Sequence, residues 1–281
     1  MQRTGFARQR HGNGVGDGMK DGNQDGTQAI RRAAAILKQI AHVSGDAPKN
    51  LRTISEAVGL PRSTTHRILK SLTDTGLAAY NADTRRYEVG MLSYELGLAV
   101  SDRVLGLAPW TACVDRVAER ANVTTYLMRR SGFEAVCIHK AEGRTVIRVI
   151  PVEVGQRRYL GVGAGATALL AGLPDATAER VIAAIAPEFD AFESLSADSV
   201  RDAMERARRT GFAESRGQAY SSIYGLGRGV KAFSAEPDLA ISIAVHAQDV
   251  DDARIAAWKR IIDDEIAATQ GARHRGDDTP E

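Results

Sequence analysis

Cysteine is nearly absent from this chain, with two residues, Cys113 and Cys137, among 281. Two thiols cannot build a disulfide framework, so a reducing, cytoplasmic setting fits best. Histidines 11, 42, 66, 139, 246 and 274 show no zinc-like spacing with one another or with the cysteines, so neither a metal nor another cofactor is expected. Long apolar runs are also missing. The longest uncharged stretch, Tyr159–Pro174, has 16 residues, four of them glycine, whereas a bilayer needs about 20 apolar residues. No apolar segment follows the first basic residues, so no secretory signal is expected.

What remains is ordinary for a globular protein, at 43% hydrophobic and 26% charged, and long enough for two domains at about 150 residues each. The net charge of +2 argues against a polyanion partner until it is divided. Residues 28–90 carry ten Lys/Arg against five Asp/Glu, or +5; residues 1–27 carry four against three, and 91–281 carry 23 against 27. A small basic module followed by a larger, mildly acidic one is the first expectation.

Residues 1–26 contain seven glycines and few large apolar side chains, too little to offset the entropy of ordering, and read as a disordered tail. From Thr27, apolar Ile30, Ala33, Leu37 and Ile40 repeat at helical spacing. Thr53-Ile-Ser-Glu56 reads as a capping box opening a short helix. Ile54, Ala57 and Val58 form its apolar face, and Gly59 suits a left-handed stop. Pro61 suits the first position of a second helix. There Thr65, Ile68, Leu69 and Leu72 share one face while Arg62, Ser63, His66, Arg67 and Lys70 fall largely on the other, and Gly76 ends it. Leu77–Tyr80 and Arg86–Val89 read as strands around the turn-forming Asn81-Ala-Asp-Thr84. Two helices, a tight turn and a hairpin bearing Arg85 and Arg86 make a winged helix-turn-helix.

A helix with a basic outer face is ordinarily no more than a solvated surface. Here cap, glycine turn, proline start, apolar stripe, hairpin and +5 charge follow in order within residues 28–90, which favours DNA. The second helix would present Arg62, Ser63, Thr64, His66 and Arg67 to base edges or nearby backbone in a major groove. Lys70, Arg85, Arg86 and Tyr87 would serve phosphates or the wing.

The run Ile54-Ser-Glu-Ala-Val-Gly-Leu-Pro-Arg-Ser-Thr-Thr-His-Arg-Ile-Leu69, then Leu72, Gly76 and Arg86-Tyr-Glu-Val-Gly90, closely resembles the DNA-binding half of IclR-type transcriptional regulators. Gly155–Ala166 with Leu169-Leu-Ala171 resembles that family's effector-pocket loop and helix. Thr210-Gly-Phe-Ala213 and Leu239–Val245 match its late turn and last strand. The resemblance covers about residues 27–270. It departs at Gly161 and Thr167, where many members have histidine and lysine, and in Gln218–Lys231, so the ligand cannot be copied from relatives. The resemblance implies an α+β chain: a winged helix-turn-helix at 27–90, a linker helix at 91–105, a GAF-like α/β effector-binding and oligomerisation domain at 106–270, and a tail at 271–281.

Read on its own residues, the C-terminal part begins with a helical stripe of Trp110, Cys113, Val114, Val117 and Ala121. Strands are expected at Val123–Met128, Ala135–His139, Val146–Ile150, Gly229–Ser234 and Leu239–His246. Helices are expected at Ala164–Gly172, Ala176–Ala186, Ala197–Thr210 (capped by Ser196) and Ala253–Ala268. Both cysteines fall on apolar faces and read as core. Gly161-Val-Gly-Ala-Gly-Ala166 formally satisfies a dinucleotide fingerprint, but polar Gln156-Arg-Arg-Tyr stands where the apolar strand should be. A small anionic ligand at a helix N-terminus, or tight turning alone, explains the glycines more simply. The resemblance implies a pocket of Gly163, Ala164, Gly165, Ser215, Tyr220, Tyr224, Gly225, Ser242 and Ala244. Arg157 and Arg158 could aid an anion but read better as a solvated pair.

The function expected is a cytoplasmic regulator, by family habit a repressor. It would bind pseudo-palindromic double-stranded operator DNA as a homodimer or homotetramer and answer to a small effector such as an organic or aromatic acid. The alternative is a small-molecule enzyme with an accessory winged helix, and no catalytic constellation supports it, so an enzyme is not expected.

Overall fold

The computed structural model describes residues 21–41, 49–99, 106–144, 152–192, 194–219, 221–233 and 237–277. Contacts divide the chain into two units, one reaching Tyr94 and the other starting at Glu95.

In the N-terminal unit, α1 (Asp21–Ala41), α2 (Leu51–Ala57) and α3 (Arg62–Asp74) precede a hairpin of β1 (Ala78–Asn81) and β2 (Arg86–Val89). Helix α1 begins six residues before Thr27, so the tail expected at 1–26 overlaps it; residues 1–20 lie outside the described residues. Its core stripe is Ile36 and Ile40, flanked by Ala33 and Leu37, while Ile30 is 73% exposed. Ala33, Leu37 and Ile40 of the expected stripe thus meet the core, Ile30 does not and Ile36 joins it, because the face of α1 is chosen by α2, α3 and β2 rather than by periodicity alone.

The start of α2 also corrects the expectation. Asn50 is the N-cap, and its Oδ1 accepts from the Thr53 amide at 3.0 Å. Thr53 lies inside the helix and donates from Oγ1 to the Asn50 carbonyl at 3.1 Å. Glu56 pairs with Arg52 one turn earlier instead of closing a capping box. Ala57 is exposed, and Ile54 and Ser55 carry the buried face. The end is as expected: Gly59 has φ +64°, Leu60 N–H reaches Ser55 O and Gly59 N–H reaches Glu56 O. That pairing is the Schellman stop. Pro61 takes the N-cap of α3, one position earlier than expected, and Gly76 at φ +78° follows its C-cap. Thr65, Leu69 and Leu72 are buried in the small core.

Helix α4 (Met91–Ala99) follows the hairpin. Leu92 N–H donates to Gly76 O at 3.1 Å and Ser93 Oγ to Leu77 O at 3.0 Å, anchoring its first turn. Of the linker helix expected at 91–105, residues 100–105 lie outside the described ones.

The C-terminal unit is a sheet covered on both faces. Its described strands are β3 (Thr124–Ser131), β4 (Glu134–Ala141), β5 (Arg157–Tyr159), β6 (Ala213–Arg216), β7 (Ile223–Val230) and β8 (Leu239–His246), in the order β5-β4-β3-β8-β7-β6. Every pairing among them is antiparallel. The strand expected at Val146–Ile150 lies outside the described residues. Helix α5 (Ala108–Ala121) and the closing helix α9 (Asp252–Asp277) cover one face; α6 (Ala164–Ala171), α7 (Asp175–Ile185) and α8 (Ala197–Thr210) cover the other. Helix α9 continues past the expected boundary at 270. Central β8 is buried on both faces, which explains why Leu239–Val245 is apolar at every position but Ser242. Leu239, Ile241, Ile243 and Val245 face α5 and α9, whereas small Ala240 and Ala244 face α6. Ser196 caps α8 as expected, reciprocated by Ser199.

Strand β7 corrects a boundary. A strand was expected at Gly229–Ser234 after a loop, yet residues 223–230 form it. Glycines 225, 227 and 229 alternate along it and bare one face for α6. A Cβ on Gly227 would stand 2.6 Å from the Ala164 carbonyl oxygen, and one on Gly229 3.1 Å from that of Ala168.

Candidate DNA interface and ligand pocket

The exposed side of α3 carries two rows. Arg62, His66 and Lys70, four residues apart, line a groove shared with Asn50, Arg52, Tyr80, Arg85 and Tyr87. Thr64 and Arg67 turn toward α1 and line a second depression with Arg32 and Ser71. Ser63 and Arg86 are exposed and line neither. Arg52 is a groove residue that sequence reading missed; its spacing from Glu56 signalled a surface pair and nothing more.

The hairpin is held rigidly. Asn81 Oδ1 accepts from the Asp83 and Thr84 amides, both at 3.1 Å, and Arg85 closes the turn with φ +53°. Tyr80 and Tyr87 pack with their rings tilted by 50° and centroids 4.9 Å apart, and Tyr87 N–H donates to Lys49 O at 2.8 Å. Burial, with Tyr80 beside it, raises the Tyr87 phenol above its ordinary value, so it stays a neutral donor. The unit thus presents α3 and the hairpin tip as two basic ridges around one groove.

In the C-terminal unit the glycine loop enters α6 through Gly161 and Gly163, with φ +94° and +82°. Thr167 Oγ1 locks it, reaching Gly163 O at 2.9 Å and Gly161 O at 3.2 Å. The formal dinucleotide match fails on topology as well: the preceding strand, β5, is a three-residue antiparallel partner of β4, whereas the fingerprint belongs to a parallel βαβ unit. No side chain caps the first turn of α6, so its leading amides point outward with the positive end of the helix dipole.

That turn borders a cavity of about 60 Å³. Gly163, Ala164, Gly165, Ser215, Gly225, Ser242 and Ala244 all line it. Tyr224 does not. It points to the opposite face of the sheet, among Trp110 and Trp258, because neighbours on a strand alternate. Tyr220 lies outside the described residues. Sequence reading missed Tyr126, Met128, Val152, Val162 and Ile223, and set Arg158 aside as solvated, whereas all six line the cavity. Arg157 pairs with Glu134 at 2.8 Å away from it. The even-numbered residues of β3 share the face of Ser242 and were the available signal. Burial first, then nearby Cys137 and acidic groups, drives the Tyr126 phenol far upward, so it remains neutral. Both cysteines are fully buried, and burial pushes the Cys137 thiol up to about 11, the opposite of an activated nucleophile. No cluster of three metal-ligating side chains occurs among the described residues, and no described helix is long and apolar enough to cross a membrane.

A basic winged helix-turn-helix followed by a helix-covered sheet with its own small cavity defines a DNA-binding regulator with a ligand-binding domain. Residues 29–82 match the IclR helix-turn-helix domain, and residues 108–268 match the bacterial transcriptional regulator IclR C-terminal domain. The chain belongs to the IclR family of transcriptional regulators. SauR of Cupriavidus necator is 30% identical over 154 residues, 55% of this chain and 60% of SauR, so less than two thirds of that relative is matched. The IclR transcriptional regulator from Alicyclobacillus acidocaldarius shares the fold at TM-score 0.70 and 22% identity, over 87% of this chain and 98% of that one. An IclR homolog from Microbacterium hydrocarbonoxydans, solved with 4-hydroxybenzoate, does so at TM-score 0.65 and 16% identity, over 86% and 99%.

Proposed function

We propose that this regulator is a cytoplasmic repressor that binds a pseudo-palindromic operator as a homodimer or homotetramer and responds to a small effector held in the α6 cavity. The observation that carries the DNA half is the row of Arg62, His66 and Lys70 on α3, which shares one groove with Arg85 and Tyr87 of the hairpin. A helix of this width enters the major groove, where arginine donates two hydrogen bonds to a guanine edge. Arg62, Ser63, Thr64, His66 and Arg67 read bases or the adjacent backbone; Lys70, Arg85, Arg86 and Tyr87 hold phosphates. Two-fold symmetry of the assembly then demands two related half-sites. The effector half is supported by the cavity beside the uncapped α6 turn and by the 4-hydroxybenzoate in the Microbacterium hydrocarbonoxydans homolog. In the test, Arg62→Ala with Arg67→Ala keeps the helical circular-dichroism spectrum and loses sequence-specific gel shifts, about tenfold or more per arginine. Unchanged sequence-specific shifts overturn the assignment.

A further inference from the structure

We infer that the DNA contact extends past α3, through Arg32 of α1 and the arginines of residues 1–11, to phosphates on the side of α3 away from the hairpin; this rests on the operator reading above. The two rows on α3 have different neighbours. Arg62, His66 and Lys70 share a groove with the hairpin. Thr64, Arg67 and Ser71 share the other depression with Ala29, Ile30 and Arg32 of α1. With α3 in a major groove, the hairpin therefore meets the duplex on one flank and α1 on the other. Arg67 is exposed and Arg32 half-buried, and neither guanidinium has a hydrogen-bond or ion-pair partner among the described residues. Two guanidiniums lining one depression, with no carboxylate of the protein to neutralise them, suit a backbone phosphate.

The charge of the chain leading into α1 is an independent observation. Residues 1–11 hold Arg3, Arg8 and Arg10 and no acid, and the aspartates of residues 1–27 all come later, at 17, 21 and 25. The segment precedes the matched helix-turn-helix domain, which begins at residue 29, so the domain's own helices do not account for these charges. Helix α1 opens at Asp21. Between Arg10 and Asp21 a backbone can span at most about 36–40 Å, as far as one full turn of B-DNA at about 34 Å. The arginines are thus within covalent reach of phosphates flanking the half-site that α3 occupies. Glycines 12, 14, 16 and 18 fall in that stretch and put no side-chain bulk between the chain and a duplex. Each phosphate neutralised there releases condensed counterions, which strengthens binding without reading sequence.

The probe is a duplex that the full chain recovers from a random-sequence library, prepared with about one helical turn of flanking DNA on each side and with none. Affinity is titrated by fluorescence anisotropy across salt concentrations, and contacts are mapped by hydroxyl-radical footprinting. Wild type binds the flanked duplex more tightly and protects backbone outside the half-sites. Arg3→Gln, Arg8→Gln and Arg10→Gln combined remove that protection and bind both duplexes alike. The slope of log affinity against log salt becomes shallower by about 0.9 for each arginine replaced, and Arg32→Gln alone takes off about as much. The corresponding triple lysine variant keeps the slope, and sequence preference is unchanged throughout. An unchanged slope in the triple glutamine or Arg32→Gln protein overturns the inference. So does tighter binding by the triple glutamine protein, which would mean that the segment shields the DNA-binding surface. In either case the operator reading stands if Arg62→Ala with Arg67→Ala still loses the same duplex. If the full chain recovers no duplex, the inference and the operator reading fall together. The comparison of flanked and trimmed duplexes needs only wild type, and equal affinity for both overturns the inference even where a substitution unfolds the chain.

Discussion

Replacing Gly227 by alanine adds one methyl group where the backbone of another element already stands. The new Cβ would lie 2.6 Å from the Ala164 carbonyl oxygen, 2.7 Å from its carbon and 3.0 Å from the Gly165 nitrogen. All three atoms belong to the start of α6, so no side-chain rotation relieves the clash. Restoring ordinary contact at 3.4 Å requires α6 to retreat by about 0.8 Å. Leu169 and Leu170 on α6 are fully buried, and α8 packs behind them, so the retreat opens one contact as it repairs another. Overpacking of this kind costs about 2 kcal/mol, equivalent to a fall of about 4–8 °C in melting temperature for a domain this size. The matched control is Gly271→Ala in α9, where nothing lies within 4 Å and φ is ordinary. There alanine gains about 0.5–1 kcal/mol by removing a helical glycine. Scanning calorimetry of the two variants decides the matter. A Gly227→Ala protein melting within about 1 °C of wild type refutes the argument that the glycines of β7 exist to admit α6.

Asn50→Ala removes the side-chain cap of α2 and lowers stability by about 1 kcal/mol, read by chemical denaturation; Thr53→Glu, which leaves Asn50 in place, does not reproduce that loss. Arg85→Ala and Arg86→Ala each reduce the slope of log operator affinity against log salt by about one, with little change in sequence preference, in fluorescence-anisotropy titrations. Burial alone would raise the Glu265 carboxyl, but hydrogen bonds from Arg116 and Arg120 outweigh it and hold it below its ordinary 4.5. Its contribution is therefore complete above pH 4.5 and lost as pH falls through the depressed value. Wild type should exceed Glu265→Gln in melting temperature at pH 7, and the gap should close as the pH drops below 4.5.

Much of the N-terminal unit was legible because its signals are local. Proline, glycine and the four-residue recurrence of apolar and basic side chains act within one or two turns, and they placed α3, its stop and the hairpin to within a residue. The cap of α2 was misread because Thr53 and Asn50 are both capable N-caps, and the choice depends on where the preceding chain enters.

The C-terminal unit shows the limit. Leu239–His246 was read as a strand with the bounds it has, and the Ser196 cap was correct. Residues 223–230 read as a loop because three glycines suppress local strand propensity, yet those glycines are the bare surface on which α6 rests. The same non-local packing turns Tyr224 away from the cavity and brings Arg158 to it from an edge strand. The sequence by itself determined that a basic winged helix precedes a helix-covered sheet, since periodicity, caps and charge distribution are written residue by residue. Only the tertiary structure decided which side chains share the cavity, because strand register and the approach of α6 depend on partners many residues away.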